Sequence, residues 1–203
     1  ICSSKEKVDA IDKAVANHIS LDVARFDETM SLLQRDRNAA WFSRQDGAKI
    51  LICSEIGSEG RNFQFVHHLF LFDLPLNPEL LEQRIGRVDR IGQKNDITIH
   101  VPYIRSSIYE ILARWYMEGL NLFEKNISGV HLIHKKFETR LHDLFTRCSK
   151  KTGVDADLQE RLISETKSYC IKVDQKLDQG KNILLEMNSY KPESAKKMIR
   201  DIA

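Results

Sequence analysis

Four short apolar runs, residues 21–26, 49–53, 69–72 and 97–101, are separated by stretches whose apolar residues recur at helical spacing. This alternation constrains the fold more than any other feature. Short apolar strands of this kind are covered on both faces, and strands linked through helices must run parallel. The first helical stretch carries Val8, Ile11 and Val15, with Ser3 or Ser4 placed to cap it. The second starts at Ser31, runs through Leu32, Leu33, Ala39, Ala40, Trp41 and Phe42, and stops at Asp46-Gly47. The third opens with Asn77 as cap and Pro78 in the first turn, where proline is tolerated. Ile1-Cys2 reads as the end of a further strand, and since Met does not come first, an excised piece of a larger protein is expected.

From Ser106 the strand signals cease. Ile108, Ile111, Leu112, Trp115, Tyr116, Leu120 and Phe123 share a helical face, and the pattern breaks at residues 150–153. A second amphipathic run from Leu158 to Met187 would be about 45 Å long at roughly 1.5 Å per residue. The expected architecture is therefore α/β over residues 1–105, with helices on both faces of a parallel sheet, and an all-helical extension over residues 106–203.

Composition narrows the function classes. The 203 residues carry 31 Lys and Arg against 29 Asp and Glu, with 42% hydrophobic residues, which excludes a supercharged tail, a disordered chain and a collagen-like fibre. No apolar run approaches the roughly 20 residues of a membrane span, and no signal peptide opens the chain. Cys2, Cys53, Cys148 and Cys170 are scattered, without zinc-site or disulfide spacing, so a reducing, cytoplasmic location is expected. His131 and His134, and the adjacent His67-His68, lack a third ligand at fitting spacing, so no metal site is expected. Trp41 and Trp115 are expected in cores, and Cys53 to behave as a small apolar residue.

The segment Gln83-Arg84-Ile85-Gly86-Arg87-Val88-Asp89-Arg90-Ile91-Gly92-Gln93 carries the sharpest chemistry. On a helix at about 100° per residue, Leu81, Ile85 and Val88 face the sheet while Gln83, Arg87 and Arg90 project from the opposite side. Two guanidinium forks one turn apart suit a polyphosphate, being planar, permanently charged and bidentate to phosphate oxygens. Upstream, Ser54 to Phe63 holds Gly57 and Gly60 after a strand, and glycines so placed can turn backbone N–H groups toward an anion. Asp73 and Asn77-Pro78 lie between these two segments, at a strand-to-helix turn.

These three segments resemble the second-lobe motifs of superfamily-two helicases and translocases. The Gln-Arg-x-Gly-Arg-x-x-Arg pattern with its Ile91-Gly92-Gln93 ending is similar to motif VI of the SWI/SNF group, and the glycine segment to motif V. The resemblance extends through His100-Val-Pro-Tyr and Arg114-Trp-Tyr-Met-Glu-Gly-Leu to the bacterial RNA polymerase-associated (RapA) branch. It implies a truncated RecA-like second lobe over residues 1–105. It also implies Arg87 and Arg90 as arginine fingers toward ATP, and Gln83, Gly57, Gly60 and Asn62 as nucleotide contacts. Ser54, Asp73 and Asn77 would couple nucleotide state to nucleic acid. Leu76 stands where the group usually has tryptophan, and Arg61 where a small apolar residue is usual. The implied partners are RNA polymerase, duplex DNA or RNA, and a first RecA-like lobe of the same protein.

The chain holds no Gly-x-x-x-x-Gly-Lys-Ser/Thr loop and no Asp-Glu metal motif, so ATP and Mg²⁺ are expected to be held mainly by that first lobe. Two other readings remain open at this point: the second lobe of a strand-separating helicase, and a non-enzymatic interaction module built on the helices.

Overall fold

The structure is a computed structural model; it describes residues 1–55, 63–90, 92–93, 95–150 and 153–188, the last nine of these by backbone alone. In chain order the elements are α1 (Lys5–His18), β1 (Val23–Phe26), α2 (Leu32–Ser43), β2 (Ile50–Cys53), β3 (His68–Phe70), α3 (Pro78–Ile85) and β4 (Thr98–His100). The helical part follows as α4 (Ile108–Arg114), a π-helical turn (Trp115–Leu120), α5 (Val130–Lys150) and α6 (Ala156–Asn188).

β1 pairs parallel to β2, and β3 parallel to β4. Ile1 and Cys2 join the two pairs. The Ile1 amino group donates to Phe70 O (2.7 Å) and Phe72 N–H donates to Ile1 O (3.0 Å), the two bonds that bracket a parallel partner at Leu71. On the other side Cys2 N–H donates to Cys53 O at 3.0 Å. The first two residues thus occupy the middle of the sheet, as their apolar character predicts.

The strand period of two sorts side chains to opposite faces. Val23, Ile50, Ile52 and Cys2 meet Val8, Ile11 and Val15 of α1. Phe26, Leu51 and Cys53 turn the other way, onto Ala39 and Phe42 of α2 and onto Phe63. Phe63 is buried and lies edge-on to Phe42 with centroids 6.1 Å apart. Leu69 and Leu71 enter the main core with Leu81, Ile85, Ile111, Trp115 and Leu162. On the α1 side of β3, by contrast, Phe70 and Phe72 are more than half exposed or nearly so (59% and 50%).

Local chemistry sets the helix starts. Ser31 accepts from Gln34 N–H (3.3 Å) while the Gln34 side chain accepts from Ser31 N–H (2.8 Å), a capping box. Ser4 holds the capping position of α1 but makes no side-chain cap bond, and the neighbouring Ser3 hydroxyl donates to Asp73.

The helical part is fastened to the sheet rather than appended to it, since one core runs from Leu69 to Val173. Trp115 is fully buried and donates from Nε1 to Thr166 Oγ1 at 3.0 Å, locking the π-turn to α6. A Cβ on Gly119 would come within 3.1 Å of Trp115 Cδ1 and 3.5 Å of Thr166 Cγ2, so glycine is what lets the two helices approach. Asn121, at φ 57°, ends the π-turn in the left-handed region that Asn tolerates. The Tyr116 hydroxyl donates to Pro75 O (2.6 Å), tying the same turn to the segment before α3. Arg114 pairs with Glu118 within its helix and with Glu160 of α6. Among the described residues no helix is long and apolar enough to cross a membrane.

Candidate functional site

At the carboxyl edge of the parallel strands three chain segments converge: Ser3 after the sheet-joining Ile1-Cys2, Ser54-Glu55 after β2, and Asp73 after β3. Ligands of open α/β sheets bind at this edge. What draws the segments together is Arg84, whose side chain has no exposed surface. Its Nε donates to both Glu55 carboxylate oxygens at 3.0 and 3.1 Å, and Nη2 donates to Glu55 Oε1. Nη1 donates to Asp73 Oδ1 (3.1 Å) and to the Asp73 main-chain carbonyl. Asp73 uses its second oxygen to accept from Ser3 N–H (3.0 Å), the Ser3 hydroxyl (2.7 Å) and Lys7 Nζ (2.5 Å).

The network keeps Asp73 and Arg84 charged in spite of burial. Burial alone would push the Asp73 carboxyl up, yet hydrogen bonds from Lys7 and Ser3 and the charge of Arg84 hold it below the ordinary carboxylate range. Burial likewise works against the charge on Arg84, and the hydrogen bonds and charge of Glu55, then Asp73, more than offset it. A carboxyl depressed in the folded state adds stability that is complete above its unfolded pKa of about 4 and vanishes as pH falls through the folded value. Asp73→Asn should therefore be less stable than wild type at pH 7 and should lose less stability on acidification below about pH 4. Urea midpoints measured across that range check this, and parallel curves for the two proteins would contradict it.

The motif residues are placed as follows. α3 ends at Ile85 with Gly86 as its C-cap, and Val88 and Asp89 N–H both return to Ile85 O (3.0 and 2.9 Å). The arc of about 100° per residue therefore stops before Arg87, and the expected outward stripe of Gln83, Arg87 and Arg90 does not form. Gln83 and Arg90 are exposed, but Arg87 is buried at 8% exposure. The tight turn after Gly86 swings it inward, where Nη2 donates to Glu55 O. Its Nη1 is buried with no hydrogen-bond partner among the described residues, and so is Ser54 Oγ. Leu81, Ile85 and Val88 are buried as expected.

Arg90 lies in the turn that follows, with Nε donating to Gly86 O at 3.3 Å and Gln93 N–H donating to Arg90 O at 3.0 Å. Gly92 takes φ +99°, which glycine alone adopts without strain, and Gln93 Nε2 reaches Val66 O at 2.9 Å. The Gly-Gln ending thereby pins this turn to the segment before β3. Asn77 caps α3 by accepting from Glu79 N–H at 2.9 Å. Asn77→Ala should cost about 1 kcal/mol of stability, readable by urea unfolding. Gly57, Gly60, Arg61 and Asn62 lie outside the described residues.

Sequence reasoning missed Arg84 and Glu55. The signal was present: Arg84 falls between Leu81, Ile85 and Val88 on the apolar side of the helix, and an arginine there requires buried counter-charges. Chemically, the site offers a fixed pair of carboxylates that are already neutralised and one buried guanidinium nitrogen lacking an acceptor among the described residues, with the exposed Arg90 guanidinium in the turn that follows. Those unsatisfied donors fit an anion with several oxygens, such as a phosphate chain, and do not fit a cation.

Comparison with known proteins identifies the family. Residues 1–92 match the helicase conserved C-terminal domain, and residues 96–203 match the C-terminal region of the RNA polymerase recycling family, the RapA type. The chain is similar in fold to the C-terminal part of the Fun30 ATPase domain, with a TM-score of 0.51 at 15% identity over 83% of this chain. It spans about half of that structure, covering 47% of it. The chain belongs to the RNA polymerase recycling family, joining a helicase C-terminal lobe of RecA-like fold to that family's C-terminal region.

Proposed function

We propose that this chain is the second ATPase lobe of a SWI/SNF-type translocase that acts with RNA polymerase in its recycling, in the cytoplasm, on duplex DNA. The observation that carries the reading is the buried Arg87 Nη1, without an acceptor among the described residues, at the sheet's carboxyl edge, with the exposed Arg90 three residues further along the chain. An unsatisfied buried guanidinium donor is costly, and a ligand oxygen would relieve that cost. A phosphate chain held on a facing lobe would supply it, while Arg90 is free to reach across the cleft. Magnesium and the attacking water would be organised by the phosphate-loop lobe, since no described group of three His, Cys, Asp or Glu side chains could hold a metal here.

In this reading Arg87 and Arg90 neutralise charge that develops on the transferred phosphoryl group. Gln83, Gly57, Gly60 and Asn62 would contact nucleotide, and Ser54, Asp73 and Asn77 would link that edge to the nucleic-acid track. Contacts to the duplex would be to phosphates, hence independent of sequence and sensitive to salt. RNA polymerase as partner is supported by the family that residues 96–203 match, the RNA polymerase recycling family.

The test is ATP turnover by the 203-residue chain alone and by the protein that also holds a phosphate-loop lobe, each with no nucleic acid, single strands or duplex. The expected result is no turnover by the chain alone, and turnover by the two-lobe protein that duplex stimulates without strand displacement. Steady hydrolysis by the isolated chain would overturn the shared-site reading. Strand displacement would favour a helicase instead.

A further inference from the structure

We propose that Arg84 is a positioning residue for ATP turnover: it touches no nucleotide, but through Glu55 and Asp73 it fixes where Arg87 stands. The inference rests on the reading of Arg87 as a phosphate-directed finger and adds to it the group that aims the finger. Three observations carry it. First, the Arg84 side chain is fully enclosed, and Nε, Nη1 and Nη2 are all engaged with Glu55 or Asp73, which leaves nothing to offer a ligand. Second, Glu55 is shared. Its carboxylate is gripped by Arg84, and its main-chain carbonyl accepts from Arg87 Nη2. Rotation or withdrawal of Glu55 would therefore move the only described acceptor that Arg87 has, along with the buried Nη1 that lacks one.

Third, Arg84 bonds to Asp73 through both its carbonyl and its carboxylate, closing the segment that runs from Asp73 through the Asn77 cap into α3. That closure fixes the rotation of α3, and hence the direction in which the Gly86–Arg90 turn leaves the helix. Asp73 is in turn held by Ser3 and Lys7 from the adjoining segment. Arg84 thus references the β2 end, the β3 end and the finger turn to one another. Lysine cannot replace it. A single ammonium lacks the planar fork that spans two carboxylates and a carbonyl at once.

The test is a double-substitution cycle in the two-lobe protein, with kcat and the KM for ATP measured at saturating duplex. Displacing a reacting group by about 1 Å costs on the order of 10²-fold, so Arg84→Lys should lower kcat by about that factor and leave KM within about threefold. In an Arg87→Ala background the same Arg84→Lys change should reduce the residual turnover less than about threefold, because there is no finger left to misplace. A merely structural Arg84 would give the same proportional loss in both backgrounds, and that additive result overturns the proposal while leaving the finger reading intact. If Arg87→Ala itself leaves turnover unchanged, the finger reading falls and the proposal with it. Should Arg84→Lys fail to fold, Glu55→Gln is read through the same cycle, since it keeps the shape of the side chain and weakens the grip of Arg84. Coupling with Arg87→Ala is again the expected result, and additivity the overturning one.

Discussion

Replacing Arg90 with alanine in the two-lobe protein is expected to cut ATP turnover about 10³-fold while shifting unfolding stability by less than about 0.5 kcal/mol. The two parts of this expectation come from different features. Arg90 is exposed, and its Nε bond to Gly86 O, at 3.3 Å and within one turn, adds little to the fold. Its removal leaves no buried partner unsatisfied. In the proposed reaction, however, its fork meets charge that builds on the phosphoryl group only in the transition state. A contribution of that kind lowers kcat rather than ATP binding, and about 10³-fold corresponds to roughly 4 kcal/mol of barrier. Arg90→Lys should recover only a small part, because one ammonium does not reproduce a bidentate fork. Turnover measured with duplex for wild type, Arg90→Ala and Arg90→Lys decides the matter. An unchanged rate in the alanine variant would remove Arg90 from the mechanism and raise the standing of the helices as an interaction module.

The largest loss of stability is expected from Arg84→Leu. The leucine would lie in the same apolar setting as Leu81 and Ile85, so hydrophobic burial itself is not impaired. The cost is electrostatic. Glu55 and Asp73, with side chains only 22% and 9% exposed, would lose the cation that neutralises them, and two carboxylates would face each other at the edge of the sheet. Deleting one member of a buried ion pair typically costs about 3–5 kcal/mol, and for a chain of this size that is a fall in Tm on the order of 10 °C. Thermal or urea unfolding at pH 7 tests this. A loss below about 1 kcal/mol would show that water or Lys7 can take the place of Arg84.

The contrast between Arg84 and Arg90 shows how far the sequence could be read. Both belong to one motif, and the motif was legible because its arginines, glycines and glutamines stand at fixed spacings. The helix beneath it was legible too, from Asn77, Pro78 and the stripe of Leu81 and Ile85. The point at which that helix stops was not. Gly86 as a C-cap and the return of Val88 and Asp89 N–H to Ile85 are decided by packing, since Val88 must stay in the core while the chain turns away. An angular argument carried past Ile85 therefore put Arg87 on the surface, where the structure buries it.

Local pattern was enough for the order of strands and helices, the parallel sense of the sheet, the strand character of Ile1-Cys2, the helix start at Ser31 and the cap at Asn77. All of these follow from interactions between residues a few positions apart: side-chain period, helix capping and turn chemistry. Which arginine is buried, which is exposed and what holds them depend on long-range packing. Arg84 meets Glu55 from 29 residues away, Glu55 meets Arg87 from 32, and Lys7 reaches Asp73 across 66. Pairings of that range depend on which strand ends the sheet brings side by side, and no local pattern encodes that neighbourhood.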